Sequence, residues 1–189
     1  MKTTILALSL STMALTSCAT GGAKIETQSS VAAPSTTAEK QADFAVKTFL
    51  EACMGTFGQA FGVEVQARQL EFGPVAPSTA AFFLGGKQGK VWSQRNDLGA
   101  FAIAHRTDGI CSVFARKADP QYMKVELESW LPPSSKGYRV RTRSLEGENG
   151  LRTYFYAVTR NGQPVFDWVL STSADGRGGF QGVASFHAR

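Results

Sequence analysis

Residues 138–172 read YRVRTRSLEGENGLRTYFYAVTRNGQPVFDWVLST, and this stretch decides the fold class. Three runs rich in β-branched and aromatic residues, Tyr138–Leu145, Leu151–Thr159 and Val165–Thr172, alternate with turn-forming pieces. Asn161-Gly162 separates the second run from the third. That dipeptide suits a two-residue hairpin, because both central positions of a type I′ turn need positive φ. In the third run Phe166, Trp168 and Leu170 share one face, with Val165, Asp167 and Val169 on the other. A period of two marks a strand. A fourth run, Phe180–Ala188, follows the turn Asp175-Gly176-Arg177-Gly178-Gly179. The carboxy-terminal third therefore reads as an antiparallel meander.

Working back from there, Lys90–Ser93, Phe101–His105 and Ile110–Ala115 are further strand runs, the last two joined by the turn Thr107-Asp108-Gly109. Asp119-Pro120 has the form of an N-cap followed by Pro at the first helical position. Residues 120–130 carry both periods, since Met123, Val125 and Leu127 alternate while Met123, Leu127 and Trp130 lie on one helical face. The Asp-Pro start and the Pro132-Pro133 stop favour a helix. Near the amino end, Thr36-Thr37-Ala38-Glu39 fits a capping box. Apolar positions then recur at Ala42, Val46, Phe49, Leu50, Cys53, Phe57, Ala60 and Phe61, predicting one long helix that stops near Gly62. Between 63 and 89 the chain is broken by Gly73-Pro74 and Pro77. Ser78 is a candidate cap for a short helix through Leu84, and Gly85-Gly86 ends it. The expected fold is α+β: a long N-terminal helix and a shorter second helix packed on an antiparallel β-sheet meander, forming a single domain over residues 38–189.

Composition narrows the functional classes. The chain has 189 residues, is 43% hydrophobic and only 19% charged, and carries a formal net charge of +5. That is too apolar for an intrinsically disordered chain. Three Cys with no CxxC pair exclude a disulfide-dense miniprotein and a thiolate zinc site, and two His exclude a His-rich metal centre. No cofactor and no nucleic-acid partner is expected.

The first residues, MKTTILALSLSTMALTSCATGG, place Lys2 before a short apolar run, Ile5 to Leu15. The run is far below the ~20 residues of a membrane-spanning helix, so residues 1–17 read as a signal peptide. Leu15-Thr16-Ser17-Cys18 resembles the lipobox of bacterial lipoproteins. The resemblance implies cleavage before Cys18, a diacylglycerol on its thiol and, with Ala19 rather than Asp next, anchoring at the outer membrane on the periplasmic side. Two or three acyl chains, palmitate among them, hold a protein stably at a bilayer where one does not. Residues 18–37 are then the lipidated Cys and a Ser/Thr/Ala/Gly-rich tether. Cleavage removes Lys2 and no acid, leaving 5 − 1 = +4.

With Cys18 acylated, Cys53 and Cys111 remain in an oxidising compartment, and a disulfide between them would tie the first helix to the sheet. Their surroundings lack a catalytic signature, GxSxG is absent, and Gly85-Gly86-Lys87-Gln88-Gly89-Lys90 lacks the phosphate-loop spacing. The distinctive polar pattern is Arg139, Arg141 and Arg143, which project from one face of a strand. Arg152, Tyr154 and Tyr156 share a face of the next. Guanidinium groups beside tyrosines suit phosphate or carboxylate through bidentate and stacking contacts. Glu126, Glu128, Glu146 and Glu148 are acids able to neutralise them instead. The sequence thus favours a lipid-anchored, non-enzymatic envelope module for an anionic ligand or a protein partner. The alternative is an envelope hydrolase or transferase using His105 or His187.

Overall fold

A computed structural model describes residues 32–176 and 179–189. The expected signal peptide, Cys18 and most of the expected tether, together with Arg177 and Gly178, lie outside the described residues. The described chain runs through helix α1 (Thr37–Phe49), helix α2 (Ala60–Gln69), the dipeptide strand β1 (Gly73–Pro74), helix α3 (Pro77–Leu84) and strands β2 (Gly89–Asn96), β3 (Gly99–Arg106) and β4 (Ile110–Ala115). Helix α4 (Pro120–Ser129) follows, then β5 (Tyr138–Glu146), β6 (Leu151–Arg160), β7 (Gln163–Ser173) and β8 (Gly182–Ala188). All strand pairs are antiparallel, in the order β1-β2-β3-β4-β8-β7-β6-β5. The α+β class and the strand runs are as expected. The sheet is two meanders joined where β4 pairs with β8, rather than one.

The single long first helix does not form. The capping box is present, with the Thr36 hydroxyl accepting from the Glu39 amide and the Glu39 carboxylate accepting from the Thr36 amide. Ala42, Ala45, Val46 and Phe49 are buried along one face of α1. After Phe49 the backbone widens into a π turn over Leu50–Met54. Phe57 and Gly58 then take φ of 51° and 67°, a left-handed pair that ends the helix. At Gly58 a Cβ would also stand 3.1 Å from the Phe186 ring, so glycine serves both conformation and approach. The apolar spacing that continues through Ala60 and Phe61 belongs to α2, where Phe61 is 80% exposed. Periodicity carried across this break because the step between helices happened to preserve it.

Cys53, in the π turn, is bonded to Cys111 on β4, with Cα atoms 5.5 Å apart. Both are fully buried in the main core, among Phe49, Ile103 and Phe186. The bond ties the first helical unit to the middle of the sheet, as the sequence suggests.

Residues 120–130 are helical. Asp119 caps α4 through the Tyr122 amide, Pro120 occupies the first turn, and Met123 and Leu127 are fully buried. Helices α1 and α4 cover the same face of the sheet, on which Phe101, Ile103, Val113, Tyr156, Trp168, Leu170 and Phe186 point inward. Helix α3 instead packs on the opposite face. Ala80 and Leu84 meet Val91, Ala102 and Ala104, with the rings of Phe83, Phe114 and Phe180 packed edge-on or tilted beside them. Its N-cap is Ala76, with Pro77 at the first position and no side-chain cap bond, so Ser78 does not start it. Proline supplies a preset φ where a hydroxyl was expected to supply an acceptor. The expected long helix, short second helix and helix over 120–130 thus become four helices on two faces of the sheet.

Candidate functional site

Helix α3 shields only the β2–β4 half of its face. Over β5–β8 that face has no helix above it among the described residues, and its side chains, apart from Ser173 at the end of β7, are half-buried or exposed. Register fixes what lies there. Arg141 stands opposite Ala157, Ala157 opposite Asp167, Asp167 opposite His187 and His187 opposite Ile110. The neighbouring row runs Arg143, Phe155, Val169, Ser185 and Ser112. Directly opposed residues of an antiparallel sheet share a face, so two continuous rows lead from arginines at the edge to polar and apolar side chains at the centre.

Arg139, Arg141 and Arg143 occupy this open face together and are exposed. Successive same-face positions are about 7 Å apart, so each neighbouring pair of guanidinium groups repels by about 0.5 kcal/mol at a water-like dielectric. Among the described residues no carboxylate, Glu148 included, forms an ion pair with any of the three. Glu126 accepts from the Trp130 indole, Glu128 pairs with Lys124, and Glu146 pairs with Arg152 at 3.1 Å. Arg143 stacks its guanidinium over the Phe155 ring, 4.6 Å from the centroid, which holds it flat without consuming its charge.

Two hollows share Arg141. One, of about 490 Å³, is walled by Arg141, Arg143, Phe155, Asp167, Val169, His187 and Arg189. The other, of about 640 Å³, lies between Ser134, Tyr138, Arg139, Arg141, Thr159 and the Asn161-Gly162 turn. Gly137 borders it with φ of 79°, and a Cβ there would stand 2.7 Å from the Asn161 side-chain oxygen. Asp167 is the acid within the first hollow, and Arg189 holds it through its Nε at 2.6 Å. Its charge is thereby offset locally. The surface offers bidentate cations at one border and an apolar floor behind them, which suits an anion attached to a less polar body.

Arg152, Tyr154 and Tyr156 do not join this site. The pairing of Thr142 with Tyr156 and of Ser144 with Tyr154 puts them on the helix-covered face. Tyr156 is buried there and donates to Glu128, and Lys124 lies over the Tyr154 ring. Each strand was read with the right period, but period alone leaves the relative phase of two strands open. Phe155, Asp167 and Arg189, which complete the site, escape the sequence reading for the same reason, and His187, a candidate on other grounds, is not placed beside the arginines by it.

His105 is nearly buried, with Nε2 2.8 Å from the Gly58 carbonyl oxygen. His187 stands across from Asp167 but bonds neither to it nor to a serine, and the Ser185 hydroxyl is engaged by Ser112 at 2.8 Å. Among the described residues no group of three His, Cys, Asp or Glu side chains gathers to hold a metal ion, and no helix is long and apolar enough to cross a membrane. Compared with family models, with curated proteins and with solved structures, the chain matches none.

Proposed function

We propose that this chain is a bacterial envelope lipoprotein, acylated at Cys18 and held at the outer membrane facing the periplasm, whose domain is a non-enzymatic binding module for an anionic ligand. The lipobox resemblance at Leu15-Thr16-Ser17-Cys18 supports the anchor. One observation carries the binding reading: three arginines stand together on an uncovered sheet face, without carboxylate partners among the described residues, beside a floor of Phe155 and Val169. Unpaired cations on a rigid strand are preorganised for an anion, since no ion pair must break before it binds.

Replacing Arg139, Arg141 and Arg143 together by Gln tests this. Binding to an anionic lipid or glycan is expected to weaken, and the wild-type affinity is expected to fall as salt rises. Equal binding by wild type and triple variant at low salt overturns the reading. For the anchor, Cys18→Ser is expected to abolish palmitate labelling, and unchanged labelling overturns it.

A hydrolase or transferase reading draws on the placement of His187 opposite Asp167. Against it stands the commitment of Asp167 to Arg189 and of Ser185 to Ser112, which leaves neither an orienting carboxylate nor a nucleophile bonded to the imidazole.

A further inference from the structure

Strand β5 is the last strand of the sheet, paired with β6 on one side only. Two backbone hydrogen bonds fix which of its residues point outward. The Asn161 amide donates to the Gly137 carbonyl at 3.0 Å, and the Gly147 amide donates to the Leu151 carbonyl at 2.7 Å. Residues 137 and 147 therefore direct their backbone groups toward β6, and the unbroken register between them extends this to every odd position. The even positions, Tyr138, Val140, Thr142, Ser144 and Glu146, turn their N–H and C=O groups outward. Among the described residues no backbone group bonds to them there.

Such an edge templates another strand unless something blocks it. No proline or bulge interrupts β5, whose nine residues span roughly 30 Å. The device present is charge. If two copies paired β5 against β5 about a twofold axis normal to the sheet, residues of equal parity would oppose each other. Arg139, Arg141 and Arg143 would then face arginines, and like charges directly opposed are destabilising. The same arrangement complements a strand bearing carboxylates at alternate positions. We infer that the outer edge of β5 receives an extended acidic segment of another protein as a ninth strand, its alternate Asp or Glu side chains facing Arg139, Arg141 and Arg143. Main-chain bonds to the even positions would supply affinity, and the arginines register and selectivity. This rests on the anionic-ligand reading above and narrows it from an anion to an acidic strand.

The test uses the full-length chain and two labelled peptides, followed by fluorescence anisotropy at low ionic strength. One alternates Glu with Thr and Val. The other has the same composition with its Glu residues contiguous. The alternating peptide is expected to bind about tenfold or more tightly than the contiguous one, and to lose that advantage when N-methylated at the residues that would pair with β5. Thr142→Pro removes an outward N–H while leaving every β5–β6 bond, a substitution edge strands tolerate. It is expected to lose the alternating peptide about tenfold or more while keeping the wild-type response to pyrophosphate. If the variant does not fold, the N-methylated peptide decides on the wild-type chain. Equal affinity for the two peptides, both lost in the triple Arg→Gln variant, overturns strand addition and leaves the anionic site standing. Peptide binding unchanged in the triple variant overturns both. Binding to vesicles containing phosphatidylglycerol but to neither peptide makes the partner a membrane and likewise overturns strand addition.

Discussion

The Tyr156 phenol donates to a Glu128 carboxylate oxygen at 2.9 Å, joining the middle of β6 to the end of α4 beneath the sheet. Glu128 also accepts from Lys124 at 2.6 Å, so the three side chains form one linked set. A buried hydroxyl without a partner would be costly, and this bond removes that cost. Tyr156→Phe removes the donor and is expected to lower stability by about 1 kcal/mol, read as a shift in the urea midpoint with unchanged slope. A variant as stable as wild type would contradict the bond.

The same phenol shapes the alkaline limit. Burial, and then the hydrogen bond and charge of Glu128, push its pKa well above the ordinary tyrosine range. The folded state therefore keeps a proton that the unfolded chain releases near pH 10. The resulting stability is present in full below that pH and is lost as pH rises above it. Urea midpoints measured from pH 8 to 11 are expected to fall beyond about pH 10, and to fall less steeply in Tyr156→Phe. Parallel curves for the two proteins would contradict this.

At the amino end of α1 the sign reverses. Glu39 accepts from the Thr36 and Ser35 amides and from the Ser35 hydroxyl, which lower its pKa to about 2. Its contribution is present above the unfolded carboxylate pKa and disappears as pH falls through that of the folded state. A carbon-detected NMR titration is expected to place the Glu39 carboxyl midpoint near 2. A midpoint in the ordinary glutamate range would mean that the cap is open in solution.

Cys53 and Cys111 close a segment of 58 residues. On chain-entropy grounds the bond contributes roughly 4 kcal/mol by restricting the unfolded state. The double variant Cys53→Ala/Cys111→Ala is expected to lose stability of that order, and peptide mapping without reductant is expected to recover the two cysteines in one linked product. Quantitative alkylation of both thiols in non-reducing denaturant would contradict the pairing.

Strands and the first cap were legible because each depends on nearby residues, alternation and Thr36 with Glu39, and the disulfide because only two thiols were left over to pair. What escaped depends on partners distant in sequence. The pairing of β4 with β8 is a long-range contact that no local pattern encodes. The left-handed Phe57-Gly58 pair that splits the first helix is stabilised by packing against Phe186, over a hundred residues later. The arginine ladder could be placed on one face from its spacing alone, but its neighbours could not. A one-residue change in strand phase exchanges Tyr154 and Tyr156 for Phe155 and Ala157.

Titrating the full-length chain with pyrophosphate while observing the arginine Nε–Hε signals by NMR tests the binding claim most directly. Arg139, Arg141 and Arg143 are expected to shift together with a shared midpoint. That midpoint should rise with ionic strength, because exposed charges are screened, and Arg152, on the covered face, should stay unmoved. Shifts centred on Arg152, or none at the three ladder arginines at low salt, would contradict it.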